Sequence, residues 1–270
     1  MLAKERQMWI QNKVLREGRA YIAELAAELG VTGETIRRDI RVLARDKRIV
    51  KTHGGAMLNQ DLEKDWSLSQ RLQQQSEAKK RIGNFAMTMI QDSDVIYFPS
   101  IGACVWAVAN LRDVRDLVVV TGSLDIASIV SSNLESGEIT GKLILLGGEV
   151  IPKQKTTRIT TALDMLRSIY FTKIFLGASA LSEEGPLLYN LDSCETNRML
   201  IQQTEKVFVL AESAKFLKTS LFRYTGFDGV DCFITDDAYP IPPGAIKNLE
   251  ENQVQVFRIG ENCRPIECAR

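Results

Sequence analysis

From residue 94 onward, short apolar runs alternate with stretches of helical spacing, and this alternation restricts the fold more than any other feature of the chain. Asp94-Val95-Ile96-Tyr97-Phe98, Leu117 to Thr121, Lys142 to Leu146, Lys173 to Ala178, Lys206 to Leu210 and Asp231 to Thr235 each read as a buried strand. Cys104 to Leu111 and Leu124 to Ser132 read as helices between them. Strands separated by helices imply a mostly parallel sheet covered on both faces, so the body of the chain is α/β. Ligands on such sheets bind beyond the carboxyl ends of the strands. Four loops there are expected to converge: Ser100-Ile101-Gly102-Ala103-Cys104, Thr121-Gly122-Ser123, Gly147-Gly148 and Glu212-Ser213-Ala214-Lys215. Glycines let backbone amides approach a phosphate or sugar, and a lysine supplies the compensating charge. Taken singly, a glycine pair is as readily a turn, and Lys215 a solvated charge.

The first sixty residues follow a different pattern. Trp9, Ile10, Val14 and Leu15 recur at helical spacing up to Glu17, with Gly18 at the C-terminal cap position. Tyr21, Ile22, Leu25, Ala26 and Leu29 repeat that spacing, and Gly30 closes the short helix. Thr32 then stands ready to cap a third helix in which Ile36, Ile40 and Leu43 form one buried stripe. Two short helices joined by Gly30-Val31-Thr32-Gly33 make a helix-turn-helix, whose second helix enters the major groove of DNA. Thr32, Gly33, Glu34, Thr35, Arg37, Arg38 and Arg41 lie at the start of that helix or away from the buried stripe, free to meet bases or phosphates. Arg48 to Ala56 suits a small β-wing ending in a glycine pair, and His53 is placed in it beside a DNA phosphate.

Charge division agrees with that reading. The net charge of the 270-residue chain is zero, but residues 1–58 hold twelve Lys and Arg against seven Asp and Glu. That is a net of +5, so the remainder carries −5. A basic module ahead of a slightly acidic body fits phosphate contacts made at one end. The apolar runs fall well short of the ~20 residues of a membrane span, and the N-terminus has no secretory pattern, so no membrane partner and a cytoplasmic location are expected. With a single histidine, and with Cys104, Cys194, Cys232, Cys263 and Cys268 scattered along the chain, neither a metal site nor a cofactor is expected.

Several of these segments together resemble the DeoR family of bacterial transcription regulators. They are Glu24-Leu25-Ala26 to Leu29-Gly30-Val31, Thr35-Ile36-Arg37-Arg38-Asp39-Ile40 and Lys51-Thr52-His53-Gly54-Gly55-Ala56. Arg81-Ile82-Gly83, Leu146-Gly147-Gly148, Phe175-Leu176-Gly177-Ala178 and Leu210 to Phe216 extend the resemblance to nearly the whole chain. It implies a winged helix-turn-helix over 1–58, a linker over 59–75, a sensor domain over 76–260 and a tail over 261–270. The implied sensor is related in fold to ribose-5-phosphate isomerase and binds a sugar phosphate or related metabolite, which weakens operator binding by a repressor. A homo-oligomer is expected: a dimer follows from reading paired half-sites, and the resemblance permits a tetramer.

The implied effector residues are Ser100, Gly102, Ala103, Cys104, Thr121, Gly122, Gly147, Gly148, Glu195 and Lys215. They depart from the family pattern. Where members carry Asp-x-Gly-Thr-Thr this chain has Ser100 to Cys104, Thr121-Gly122 replaces a Thr-Asn pair, Asn197 stands in place of a lysine, and Glu212 in place of an aspartate. The site has drifted, which points to a different ligand or a weakly bound one. Two alternatives stand beside the repressor reading. One is a sugar-phosphate isomerase or deaminase using Glu195, Glu212 or Lys215 in acid–base roles, disfavoured because the loop acid it needs is Ser100. The other is a DNA-binding protein whose sensor domain serves only to oligomerise.

Overall fold

In the computed structural model the chain divides into two compact units, Met1–Trp66 and Ser67–Arg270. The described residues are 3–17, 19–44, 49–52, 54–58, 76–260 and 265–266. Gly18, Arg48, His53, Cys263, Cys268, the linker 59–75 and all of the tail 261–270 but residues 265–266 lie outside them.

The first unit contains α1 (Ala3–Glu17), β1 (Arg19–Tyr21), α2 (Ile22–Leu29), α3 (Gly33–Leu43), β2 (Ile49–Lys51) and β3 (Gly55–Leu58). Gly30 closes α2 in the left-handed conformation (φ 62°), which glycine adopts without steric cost. The apolar stripe predicts the core correctly: Ile10, Val14, Leu25, Ile36, Ile40 and Leu43 are buried together. Burying each such side chain contributes about 1.5–3 kcal/mol, which holds three short helices that would not persist alone. One element differs from expectation. Helix α2 begins at Ile22, because residues 19–21 form a strand that pairs antiparallel with β3, giving the order β1-β3-β2. Gly55 makes this possible, since a Cβ there would collide with the Ala20 carbonyl.

The second unit is the expected α/β body. Its elements are α4 (Ser76–Met87), β4 (Val95–Phe98), α5 (Gly102–Ala109), β5 (Val114–Thr121), α6 (Leu124–Glu135), β6 (Ile139–Leu145), β7 (Val150–Ile151), β8 (Thr156–Thr157), α7 (Leu163–Arg167) and β9 (Phe171–Gly177). There follow β10 (Ala180–Ser182), β11 (Gly185–Leu188), α8 (Leu191–Ile201), β12 (Thr204–Leu210), β13 (Phe222–Arg223), β14 (Cys232–Asp236), α9 (Pro243–Glu251), β15 (Gln255–Ile259) and β16 (Pro265–Ile266). Eight strands form one sheet in the order β6-β5-β4-β9-β12-β14-β15-β16, parallel except for the pair β15–β16. The chain builds outward from β4 to β6, then returns to β9 beside β4 and builds the other way. The β4/β9 junction is therefore the topological switch point, where a ligand crevice opens.

Side chains alternate across the sheet. Ile96, Phe98, Phe175 and Phe208 face α4, α5 and α6, whereas Tyr97, Ile174, Leu176 and Val207 face α7 and α8. Phe175 stacks between Phe98 and Phe208, with centroids at 5.1 and 4.9 Å, so aromatic contacts tie β4, β9 and β12 across the switch. Helix α9 covers Val209 and Phe233 on the second face. The periodicity does not reveal the hairpin β7–β8 or the small sheet β10-β11-β13, whose strands are only two to four residues long.

Candidate DNA interface and effector site

Helix α3 separates its two faces cleanly. Ile36, Asp39, Ile40 and Leu43 are buried, while Glu34, Arg37, Arg38 and Arg41 are exposed. Thr32 is the N-cap: its hydroxyl accepts from the Thr35 amide at 3.3 Å and lies 2.9 Å from the Thr35 hydroxyl. Both threonines thus act first on the helix terminus, with Gly33 as its opening residue. The Glu34 carboxylate receives Arg37 at 3.2 Å through Oε2 and Arg41 at 2.8 Å through Oε1. The hydrogen bond from Arg37, with the Arg41 charge, holds the Glu34 carboxyl below the usual glutamate range. Arg38 has no acidic partner among the described residues.

Asp39 takes no part in this surface. It is 3% exposed and accepts from Arg6 Nε at 2.6 Å and Gln7 Nε2 at 2.9 Å, locking α1 to α3. Its spacing of three from Ile36 was the available sequence signal that it lies on the buried side. Lys13 likewise pairs with Glu28 and joins α1 to α2.

In the second unit the loops after β4, β5 and β6 do come together, but through the hairpin β7–β8. The Ser100 hydroxyl donates to the Gln154 carbonyl at 3.2 Å. The Gly122 carbonyl accepts from the Thr156 hydroxyl and the Thr157 amide, both at 2.9 Å. The Thr157 hydroxyl donates to the Leu146 carbonyl at 2.7 Å. Gly148 has φ 138° and passes so close to Arg158 that a Cβ would strike its carbonyl, whereas a Cβ at Gly147 would meet open space. Lys155 adds its carbonyl to the Leu124 amide and its ammonium to Asp125.

Two residues placed in the effector site serve the scaffold instead. Thr121 is fully buried; its hydroxyl donates to the Phe98 carbonyl at 2.7 Å and accepts from the Ser123 amide at 3.0 Å, leaving little for a ligand. The Cys104 side chain is buried in the core among Val108, Ile126 and Phe98, and burial pushes its thiol well above the usual range. What the loop from Ser100 to Cys104 still offers is backbone. Ile101 provides no side-chain cap to α5, so the first-turn amides at Gly102 and Ala103 have no intrahelical partner. The matching terminus of α6 is already satisfied by Ser123 and by the Lys155 carbonyl.

Beyond β12, Glu212 is 6% exposed and pairs with Lys79 of α4 at 3.2 Å. Burial pushes its carboxyl up, but Lys215 and Lys79 together outweigh burial and hold it below the ordinary glutamate value. Lys79 is the residue that sequence reading passed over; it lies one turn ahead of buried Ile82, at the end of the helix nearest the loop. Glu195 stands on the exposed side of α8 between buried Cys194 and Thr196. Among the described residues no hydrogen bond or ion pair joins Glu195 to the other loops. No cluster of three or more His, Cys, Asp or Glu suited to a metal occurs among the described residues, and none of their helices is long and apolar enough to cross a membrane.

Comparison with known proteins agrees with this architecture. Residues 6–61 match the DeoR-like helix-turn-helix domain, and residues 74–237 match the DeoR C-terminal sensor domain. The chain is 30% identical over 236 residues to the HTH-type transcriptional repressor GlcR of Bacillus subtilis, covering 87% of this chain and 89% of that one. It is 26% identical to the glycerol-3-phosphate regulon repressor of Escherichia coli K12, covering 95% and 99%. To the HTH-type transcriptional regulator GolR of Listeria innocua it is 26% identical, covering 88% and 92%. With a matching DNA-binding unit ahead of a matching sensor unit, the chain belongs to the DeoR family of transcription regulators.

Proposed function

We propose that the protein represses a carbohydrate-utilisation operon and is released from its operator by a sugar phosphate or related metabolite, acting as a regulator and not as an enzyme. The exposed Arg37, Arg38 and Arg41 on a helix whose opposite face is buried carry the DNA half of this reading. Similarity to GlcR, a transcriptional repressor, and to the glycerol-3-phosphate regulon repressor supports repression, and the second of these supports a carbon-metabolite signal. In this reading residues 1–58 bind DNA, 59–75 link, 76–260 sense and 261–270 form a tail. Two chains, or four, read paired half-sites in the cytoplasm. The effector is an anion at the carboxyl ends of β4 and β12, met by the Gly102 and Ala103 amides and by Lys215. Gly122, Gly147 and Gly148 shape the floor, and Glu195 is a more distant participant.

The test measures binding of the full chain to operator DNA while sugar phosphates, free sugars and sugar acids are titrated. Arg37→Ala and Arg38→Ala are each expected to weaken binding about tenfold or more. Near-wild-type affinity in both would overturn the assignment of α3. Lys215→Ala is expected to keep DNA binding and lose the metabolite response. A second reading, a sensor that only assembles, is favoured by one observation: the Ser100 and Thr121 hydroxyls and the Gly122 carbonyl are all engaged within the protein. Operator affinity that no metabolite changes would select that reading.

A further inference from the structure

Glu34 is the second residue of α3, in the turn that meets base edges when a recognition helix lies in the major groove. Its side chain is 67% exposed, and its two oxygens hold Arg37 and Arg41, three and seven residues further along. A carboxylate is an unusual group to present to DNA. Phosphates repel it, and so do most base edges. Guanine shows two acceptors in the major groove, thymine an acceptor and a methyl group, and adenine an acceptor beside its amino group. Cytosine alone shows an amino donor as the one hydrogen-bonding group of its own major-groove edge. The three exposed charges therefore act as one unit, with Glu34 setting both what the helix accepts and where two of its arginines point. Arg38, unpaired by any acid among the described residues, remains for backbone contact.

Resting on the operator-binding reading above, we propose that Glu34 is the specificity-determining residue of α3: it requires a C·G pair with the cytosine amino group facing it, and it keeps Arg37 and Arg41 off the phosphates of non-cognate DNA. Any structural share of Glu34 is confined to exposed ion pairs and the first turn of α3, contributions that are small at an exposed position, so a change of base preference is not explained by them.

The experiment selects binding sites from a randomised duplex library with the full-length protein, comparing wild type, Glu34→Gln and Glu34→Ala. The wild type is expected to enrich a motif with one fixed cytosine per half-site. Glutamine reads adenine through its N6 and N7 positions, so Glu34→Gln is expected to exchange that cytosine for adenine. Glu34→Ala should lose the preference there by about tenfold. On an unselected duplex both variants should bind more tightly than wild type. Their salt dependence should be steeper by about 0.9 in the log–log slope for each arginine released to a phosphate. Thermal unfolding of both variants should fall no further than the loss of two exposed ion pairs allows. An unchanged cytosine preference in both variants, with an unchanged salt slope, would overturn the inference while leaving operator binding intact. A wild-type protein that enriches no motif would overturn operator binding itself, and the inference with it.

Discussion

A buried carboxylate is tolerated only when its charge is answered, and Glu212 shows how. Desolvation disfavours its ionised form, yet Lys215 and Lys79 overcome that penalty and hold its carboxyl below the ordinary glutamate range. A group whose folded pKa is depressed stabilises the native state above its unfolded pKa, and that contribution is lost as pH falls through the folded value. Glu212→Gln is therefore expected to cost about 3 kcal/mol near neutrality, because it leaves two lysines facing a neutral group. It should also flatten the loss of stability below about pH 4.5. Denaturant titrations at a series of pH values check both, and an unaltered acid limb would show that the lysines do not hold the charge. Cysteine chemistry follows burial in the same way. Cys104, Cys194 and Cys232 are buried, and burial pushes the Cys232 thiol up to about 12. Alkylation of the native protein, read by mass spectrometry, should leave all three unmodified until the chain is unfolded.

Elements are held in register by a few polar contacts between positions far apart in sequence. At the amino end of the switch point, Asp94 accepts from Lys173 at 2.5 Å, from Thr172 at 2.8 Å and from the Gln91 amide at 2.7 Å. This cluster joins β9 to the start of β4, with both charged side chains under a tenth exposed. Removing one member strands the other charge in the interior. Asp94→Ala should destabilise the protein by about 3–5 kcal/mol, whereas Asp94→Leu combined with Lys173→Met should recover much of the loss. Additive effects of Asp94→Leu and Lys173→Met, measured singly and together, would show that the two charges are not coupled. The hairpin β7–β8 is the other such element, because it closes the loops after β4, β5 and β6 through hydroxyl and amide contacts.

For the whole molecule, regulation requires that ligand and DNA binding be coupled in free energy, typically by about 1–3 kcal/mol. A metabolite that raises the thermal unfolding temperature of the full chain should then weaken operator affinity by about 5–150-fold, and operator DNA should weaken metabolite binding by the same factor. Paired titrations measure both sides of that cycle. Stabilisation by a metabolite without any change in operator affinity would mark a sensor that binds but does not signal. The division of charge between +5 over residues 1–58 and −5 over the rest fits this separation of tasks, since only the first unit must meet the many phosphates of a DNA backbone.

Local physics was enough to read most of the architecture. The stripe Ile36-Ile40-Leu43, the cap at Thr32, the glycine at position 30 and the apolar runs of β4, β5, β9, β12 and β14 are properties of neighbouring residues, and the recognition helix and the parallel sheet follow from them. The meeting of the loops after β4, β5 and β6 was also legible, because parallel topology puts them at one end of the sheet. What each residue does there was not. Thr121 and Cys104 look like ligand groups in sequence, and the fold spends the one on Phe98 and Ser123 and the other on the core. The strand at Arg19–Tyr21, the hairpin over Ser100, the Lys79–Glu212 pair and the burial of Asp39 depend on partners tens of residues away. Such pairings carry no periodic signal, so tertiary packing alone assigns those side chains between scaffold and site.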